Sequence, residues 1–487
     1  KLLRYEEKQG RNTLRRKMKK ILSGLLCVAV ALMPAAKVWA TDVEEEAKKA
    51  YELPVQSNEI ENWPQGPAVY GQSAIVIDAD TRSILYAKNM HDKHYPASIT
   101  KVLTALLAAE NGNLNTDRVT FSQESVNFLE PGDAYIGMRA GEEISLKDAL
   151  YGVLLASANE VSYAVAETIG TKMQGNGSGY EKFVKAMNER AEELGATDSH
   201  FVNPHGLQDE NHYTSAYDMA LISAELFEHP EILEIMETYE HTIGPTNLVN
   251  ESRTFQQRHE MMETWNSHYY EYCVGGKTGY TDEAGNTLIT LADNGKMRLI
   301  CVEMATRGQH IYDDTRSLLD YAFAGFSRQE AKSSILESAE EDVHATITEK
   351  GPVYVDLPVG IPQEELEFET GEENGVSMLY LTWQGQTVGK VAADVDEKAA
   401  QRAAGDGKKP GAVTSIRKIL EESIWIVIGA AAVLILIAVI LVFVIRRRKR
   451  SSFLRLSRRK QRRQESQRRR RMKRAARRSR RRGRKRW

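Results

Sequence analysis

Ser98 and Lys101 stand three residues apart in Pro96-Ala97-Ser98-Ile99-Thr100-Lys101. Proline lacks the donor that the first turn of a helix leaves unused, so Pro96 suits a helix start, and positions three apart share a helix face. On such a helix Ser98 and Lys101 touch. A serine hydroxyl is a poor nucleophile until a base takes its proton. A neutral lysine can be that base when desolvation or a second cation pulls its pKa down. The helix N-terminus also favours negative charge developing on a substrate oxygen. Activity carried by such a pair should fall as pH drops below the depressed pKa of Lys101, and a flat acylation rate would count against lysine as the base. The spacing alone is weak, since average composition gives roughly two chance matches in a chain of this length. Ser415 with Lys418 and Ser457 with Lys460 also match. They lie in a charged stalk-like stretch and a basic tail, where no folded cleft is expected.

Two further sets qualify. Ser157-Ala158-Asn159 sits between apolar helical stretches, where polar side chains either cap a helix or line a pocket; Ser125-Val126-Asn127 has the same spacing. Lys277-Thr278-Gly279 lies within Gly275-Gly276-Lys277-Thr278-Gly279-Tyr280-Thr281, after a strand-like run. Its chance expectation is roughly 0.1 per chain of this length. The glycines let a substrate backbone approach a strand edge. Lys277 offers positive charge to a carboxylate and could lower the pKa of Lys101.

The elements that must position these groups follow from periodicity. Runs 74–77 and 83–86 read as strands joined by a hairpin connection over 78–82. Helical patterns cover 98–110, 146–171, 180–194 (ended by Gly195) and 216–227. Strands are predicted over 271–275, 287–292 and 297–304, with Asn294-Gly295 a strong hairpin signal, then a helix over 315–326. From 344 to 395 Leu366, Phe368, Leu379 and Leu381 alternate with polar or acidic neighbours, and Asn374-Gly375 and Gln384-Gly385 are turn candidates, which predicts a small β-rich stretch.

The chain has 487 residues, enough for two or three domains, and a net charge of -2 that hides a strong segregation. Residues 446–487 hold 25 Lys+Arg and one acid, Glu465, whereas 41–445 hold 30 Lys+Arg and 64 Asp+Glu. The acidic part is not built for nucleic acid, which needs a basic surface. Such a split places the two parts in different compartments. Met18-Lys19-Lys20, the apolar run 21–33 and Val38-Trp39-Ala40 form a secretory signal with cleavage after Ala40 and a start at Met18. An uncleaved N-terminal anchor is the alternative, but the run is shorter than the ~20 residues a span needs. Cys27 does not mark a lipoprotein, because Leu26 stands where a small residue is required. Residues 424–445 carry no charge and are long enough to span; Arg446-Arg447-Arg448-Lys449-Arg450 follows, putting this end in the cytoplasm. The tail's expected roles are topology and attraction to anionic lipid, with nucleic-acid binding the rival.

The three sets occur in the order found in serine β-lactamases and penicillin-binding proteins. Together with Asn203-Pro204-His205-Gly206-Leu207 and His212-Tyr213-Thr214-Ser215-Ala216-Tyr217-Asp218-Met219-Ala220, they closely resemble the D-alanyl-D-alanine carboxypeptidases, the low-molecular-mass penicillin-binding proteins. The likeness covers about residues 63–328. It implies an α/β (α+β) transpeptidase-like fold with an antiparallel sheet flanked by helices, followed by a small all-β domain and one C-terminal transmembrane helix. The domains expected are a leader and signal (1–40), a flexible leader (41–62), a catalytic domain (63–328), a β-rich domain (329–396), a stalk (397–422), a membrane span (424–445) and a basic cytoplasmic tail (446–487). The β-rich domain would be a stalk or a partner-binding module.

The resemblance also implies roles. Ser98 would attack the carbonyl between the terminal D-alanines of a peptidoglycan stem peptide, and Lys101 would take its proton. Ser157 would relay a proton to the leaving D-alanine, and Asn159 would position the substrate amide and Lys101. Lys277 and Thr278 would hold the terminal carboxylate, with Gly279 beside them, and the N–H groups of Ser98 and Tyr280 would form the oxyanion hole. Arg307, after the last strand, would reach the same carboxylate. β-Lactams would be covalent inhibitors, and no metal or cofactor is implied. His205 and His212 are read as structural. Ala158, Glu160 and Val274 depart from the family's common residues, which bears on substrate preference. In the family's sheet, Cys273 and Cys301 would lie on strands two apart, roughly 9–10 Å. That exceeds the ~7 Å reach of a disulfide, so two free thiols are expected. The rivals are a serine β-lactamase, an endopeptidase or transpeptidase, and a non-catalytic wall-binding protein.

Overall fold

The computed structural model describes residues 43–373 and 375–396. The expected signal (1–40), the stalk region (397–422), the apolar run 424–445 and the basic tail lie outside the described residues. Among the described residues no helix is long and apolar enough to cross a membrane.

A helix over 43–51 (α1) opens the chain. β1 (Ser73–Asp78) and β2 (Ile84–Lys88) pair antiparallel. A 3-10 turn, Ala97–Thr100, leads into α2 (Lys101–Asn111). β3 (Arg118–Thr120), α3 (Gln123–Asn127) and β4 (Glu143–Ser145) come next, β3 pairing with β4. Five helices follow: α4 (Leu146–Leu154), α5 (Asn159–Gly170), α6 (Gly179–Glu193), α7 (Ala216–Ala224) and α8 (Pro230–Glu237). The starts of α4, α6 and α7 are fixed by Ser145, Ser178 and Ser215, whose hydroxyls each accept an N–H from the first turn. The hairpin β5 (Glu240–Ile243) and β6 (Arg253–Gln256) precedes β7 (Cys273–Thr281), β8 (Gly285–Asp293) and β9 (Arg298–Thr306). Then come α9 (Ile311–Gly325), β10 (Phe326–Glu330), α10 (Ser333–Val343), β11 (Ala345–Ile347) and β12 (Tyr354–Pro358). β13 (Glu367–Glu373), β14 (Val376–Trp383) and β15 (Gln386–Val395) complete the described chain.

The central antiparallel sheet has the order β2-β1-β9-β8-β7, so β7, which carries Lys277, is an edge strand. β1 is buried along its whole length because both faces of the sheet are covered. Ile75 and Ile77 join a cluster with α2 and α4–α8, whereas Ala74 and Val76 join a second cluster with α9 and the C-terminal strands. Burying a side chain of this size contributes about 1.5–3 kcal/mol, so the sheet is clamped from two sides. Cys273 on β7 and Cys301 on β9 are free thiols, with β8 between them.

Several expected boundaries move. The predicted helix 146–171 is two helices, α4 and α5, because the chain turns back through Ser157 at φ +61°. Residues 41–62 are not a loose leader where described. α1 buries Ala47 and Ala50, and Lys88 Nζ donates to the Ala50 carbonyl at 2.7 Å. The strand expected over 271–275 runs on through the whole Lys277-Thr278-Gly279 set. The C-terminal stretch is not all β, since α10 lies within it. Its sheet, ordered β11-β15-β14-β13, shares the second cluster with α9, and the Trp63 ring stacks on Trp383 at 5.9 Å and meets Phe326 at a tilt at 5.1 Å. Thr81 Oγ1, just after β1, donates to the Asp356 carboxylate on β12, a hydrogen bond that crosses the boundary expected after 328.

Candidate active site

The nucleophile turn is built from both sides. Thr287 Oγ1 on β8 donates to the Pro96 carbonyl at 2.8 Å, and Ala97 is held in the left-handed region at φ +50°. Ser98 is half-buried at the head of α2, and Lys101 is fully buried one turn on. Lys101 Nζ lies 2.9 Å from Ser98 Oγ, 2.8 Å from Asn159 Oδ1 and 2.5 Å from the His205 carbonyl. Burial, reinforced by the positive charges of Lys277 and Arg258, holds Lys101 well below the ordinary lysine range. A neutral amine has two hydrogens and one lone pair. The two carbonyl oxygens carry no hydrogen and take both N–H bonds, which leaves the lone pair for the Ser98 hydroxyl proton.

The break between α4 and α5 serves this arrangement. Ala158 N–H donates to the Gly152 carbonyl at 3.0 Å, and Asn159 N–H donates to the Ala134 carbonyl at 2.8 Å. Asn159 therefore opens α5 with its amide aimed at Lys101. Ser157 is buried, and its hydroxyl makes no hydrogen bond among the described residues. Buried Glu160 accepts the N–H groups of Ile136 and Gly137 at 2.8 and 3.1 Å, fixing the loop that carries Tyr135. Burial raises its pKa against those backbone donors.

β7 supplies the opposite wall. A Cβ at Gly279 would sit 2.9 Å from Ser98 N and 2.3 Å from Thr287 Oγ1, so only glycine lets this strand reach the nucleophile turn. The Tyr280 side chain is exposed, its hydroxyl 3.0 Å from Asp282 Oδ1, which leaves its role to the backbone N–H. Buried Lys277 donates to the Thr278 carbonyl at 2.8 Å, and burial, with Arg258 nearby, lowers its pKa to about 7.

Arg258 is the residue that the sequence patterns missed. Its charge acts on both lysines, its guanidinium makes no hydrogen bond or ion pair among the described residues, and it lines a pocket of about 220 Å³ with Tyr135, Ala156 and Phe255. It has no motif spacing; only the fold brings it beside Lys277. Arg307 is engaged elsewhere. Its guanidinium donates to the Asp282 and Glu283 carbonyls at 2.8 and 3.1 Å, and Nε lies 3.4 Å from Glu46 Oε2 on α1. Among the described residues no group of three or more His, Cys, Asp or Glu is placed to hold a metal.

A buried lysine at hydrogen-bond distance from a serine, with a second lysine on a neighbouring edge strand, defines an active-serine acyl-transfer site. Residues 60–308 match the family profile described as D-alanyl-D-alanine carboxypeptidase. D-alanyl-D-alanine carboxypeptidase DacF of Bacillus subtilis (strain 168) is 30% identical over 423 residues, 83% of this chain and 98% of the relative. D-alanyl-D-alanine carboxypeptidase DacA of Haemophilus influenzae is 28% identical, covering 68% of this chain and 83% of the relative. The crystal structure of penicillin binding protein 6B from Escherichia coli shares the fold, with a TM-score of 0.52 at 24% identity, over 68% of this chain and 98% of that one. The chain belongs to the D-alanyl-D-alanine carboxypeptidase family and is a serine-type peptidase.

Proposed function

We propose that this protein removes the terminal D-alanine from peptidoglycan stem peptides through an ester on Ser98, and that penicillins acylate the same serine. The observation that carries this reading is the Lys101 Nζ contact at 2.9 Å from Ser98 Oγ, made while two carbonyl oxygens take the other two directions of the amine.

In acylation the Ser98 oxygen bonds to the carbonyl carbon between the two D-alanines and its proton passes to Lys101. The C–N bond then breaks as a proton reaches the leaving amine by way of Ser157. Water next attacks the ester, giving up a proton to Lys101, and Ser98 takes a proton back as its oxygen leaves. The N–H groups of Ser98 and Tyr280 stabilise the oxyanion in both steps. Asn159 holds the substrate amide as well as Lys101. Lys277 and Thr278 bind the terminal carboxylate, and Arg258 takes the place in this set that Arg307 was expected to fill.

Arg258→Ala is expected to raise KM for a peptide ending in D-Ala-D-Ala by about tenfold or more, the scale of a charged hydrogen bond. Arg307→Ala should change KM little. Steady-state kinetics on the two variants checks this assignment.

The two lysines set opposite limbs of the pH profile. Lys101 must be neutral to act as base, so kcat/KM falls toward acid as it gains its proton. Lys277 must be charged to bind the carboxylate, so kcat/KM also falls as pH rises through about 7, where the free enzyme loses that proton. Bound carboxylate stabilises the Lys277 ammonium, so the alkaline limb of kcat should lie at higher pH than that of kcat/KM. Coincident alkaline limbs would remove Lys277 from carboxylate binding.

We also place the catalytic part outside the cell membrane, with 424–445 as a single span and the basic tail on the cytoplasmic side against anionic lipid. The segregation of charge and the uncharged apolar run support this topology. Protease treatment of intact and permeabilised cells tests it.

The deciding experiment follows adduct mass and released D-alanine when the purified protein meets a fluorescent penicillin, a peptide ending in D-Ala-D-Ala and cross-linked muropeptides. Free D-alanine with a persistent penicillin adduct supports the carboxypeptidase reading. Rapid penicillin hydrolysis points to a β-lactamase, and cleavage of cross-links without D-alanine release points to an endopeptidase.

A further inference from the structure

We propose that Thr100 and His212 are positioning residues, whose hydrogen-bond relay aims the Ser98 N–H at the substrate oxyanion. The inference rests on the reading of that N–H as an oxyanion donor.

Every hydrogen in the relay can be assigned. Val202 N–H donates to His212 Nδ1 at 3.0 Å, so Nδ1 carries no hydrogen. The ring proton of the neutral imidazole therefore sits on Nε2, which lies 2.8 Å from Thr100 Oγ1 and donates to it. Thr100 Oγ1 in turn donates to the Ala97 carbonyl at 2.8 Å. The relay is buried throughout, and burial lowers the His212 pKa to about 3, so the ring stays neutral at any working pH.

The Ala97 carbonyl and the Ser98 N–H belong to one trans peptide unit, in which they point in opposite directions. Holding the carbonyl therefore fixes the direction of the N–H. It points away from Thr100, toward the side where β7 passes; a Cβ at Gly279 would lie 2.9 Å from Ser98 N. Ala97 is an alanine at φ +50°, a conformation that persists only where its surroundings hold it. Gly206 closes the arrangement, since a Cβ there would lie 1.9 Å from the Ala97 carbonyl oxygen and 3.0 Å from Thr100 Oγ1. The segment whose His205 carbonyl accepts from Lys101 thus also crowds the peptide that carries the oxyanion donor.

Two pairs of substitutions in the full-length protein test the relay. Thr100→Val keeps the shape and removes the hydroxyl, whereas Thr100→Ser keeps the hydroxyl. His212→Gln keeps a donor, whereas His212→Leu does not. Penicillin titration of active sites corrects every rate for misfolded protein. Removing an oxyanion donor outright costs about 10²–10³-fold in kcat, so misaiming it should cost about 10–100-fold. Thr100→Val is expected to lose that factor in kcat with KM unchanged, and to lose a matching factor in affinity for a peptide boronic acid, whose tetrahedral oxygen occupies the oxyanion position. Thr100→Ser and His212→Gln should recover most of both. Wild-type kcat per titrated site in Thr100→Val would overturn the relay while leaving the acyl-enzyme reading intact, as would equal losses in Thr100→Val and Thr100→Ser. A wild-type protein that neither forms a penicillin adduct nor releases D-alanine would overturn both.

Discussion

Ser98→Ala is expected to abolish the penicillin adduct and to lower kcat for D-alanine release by about a million-fold, the scale seen when an acyl-transfer enzyme loses its nucleophile. Nothing near Ser98 can replace it. Ser157 also places a hydroxyl in the cleft, but Asn159, not Ser157, is the second-motif residue in hydrogen-bond contact with Lys101, and the Thr100 hydroxyl is engaged with the Ala97 carbonyl and His212. The substitution leaves Lys277, Thr278 and Arg258, the proposed carboxylate set, untouched, so the variant should still bind the peptide with nearly the affinity of the wild type. Intact-mass spectrometry after penicillin exposure and a binding measurement with unreacted peptide check the two halves of this expectation. A variant that still gains the mass of penicillin would place the nucleophile elsewhere.

Lys101→Met should lower the acylation rate by about 10²–10⁴-fold, the usual contribution of a positioned general base. The loss should fall on acylation and deacylation together, because the same amine serves both in the proposed mechanism. The variant's residual acylation should rise with hydroxide across the pH range, replacing the acid limb that the wild type owes to Lys101. Stopped-flow acylation at several pH values, with a thermal melt to show that the protein is folded, reads both effects. An unchanged acid limb in Lys101→Met would mean that another group sets it.

Much of the site was visible in the sequence where chemistry and local geometry coincide. Ser98 and Lys101 are three apart on one turn, so their contact follows from the helix alone. Lys277-Thr278-Gly279 was legible because its glycines mark an edge that something must approach, and Gly279 does abut the nucleophile turn. The chain reversal at Ser157 was hidden, because apolar helical patterns flank it and only the tertiary contacts of Ala158 and Asn159 reveal the break. Arg258 carries no periodic signal; it reaches the lysines through the path of the chain from β6 to β7. The segment that forms α1 gives a weak helical signal in the sequence because only two small residues, Ala47 and Ala50, face inward from a run of charges. The C-terminal helix α10 is likewise a charged segment with a narrow apolar stripe.

The central sheet, covered on both faces, makes the parity of a residue's number informative. On β1, odd positions 75 and 77 belong with the helices that carry Lys101 and Asn159, and even positions 74 and 76 with α9 and the C-terminal strands. On β9 the assignment reverses: 300, 302 and 304 face the helices that hold the active site, and 299 and 301 face the opposite half. Scanning either strand one position at a time should therefore give alternating phenotypes, one class distorting the cleft and the next loosening the C-terminal half from an otherwise working enzyme.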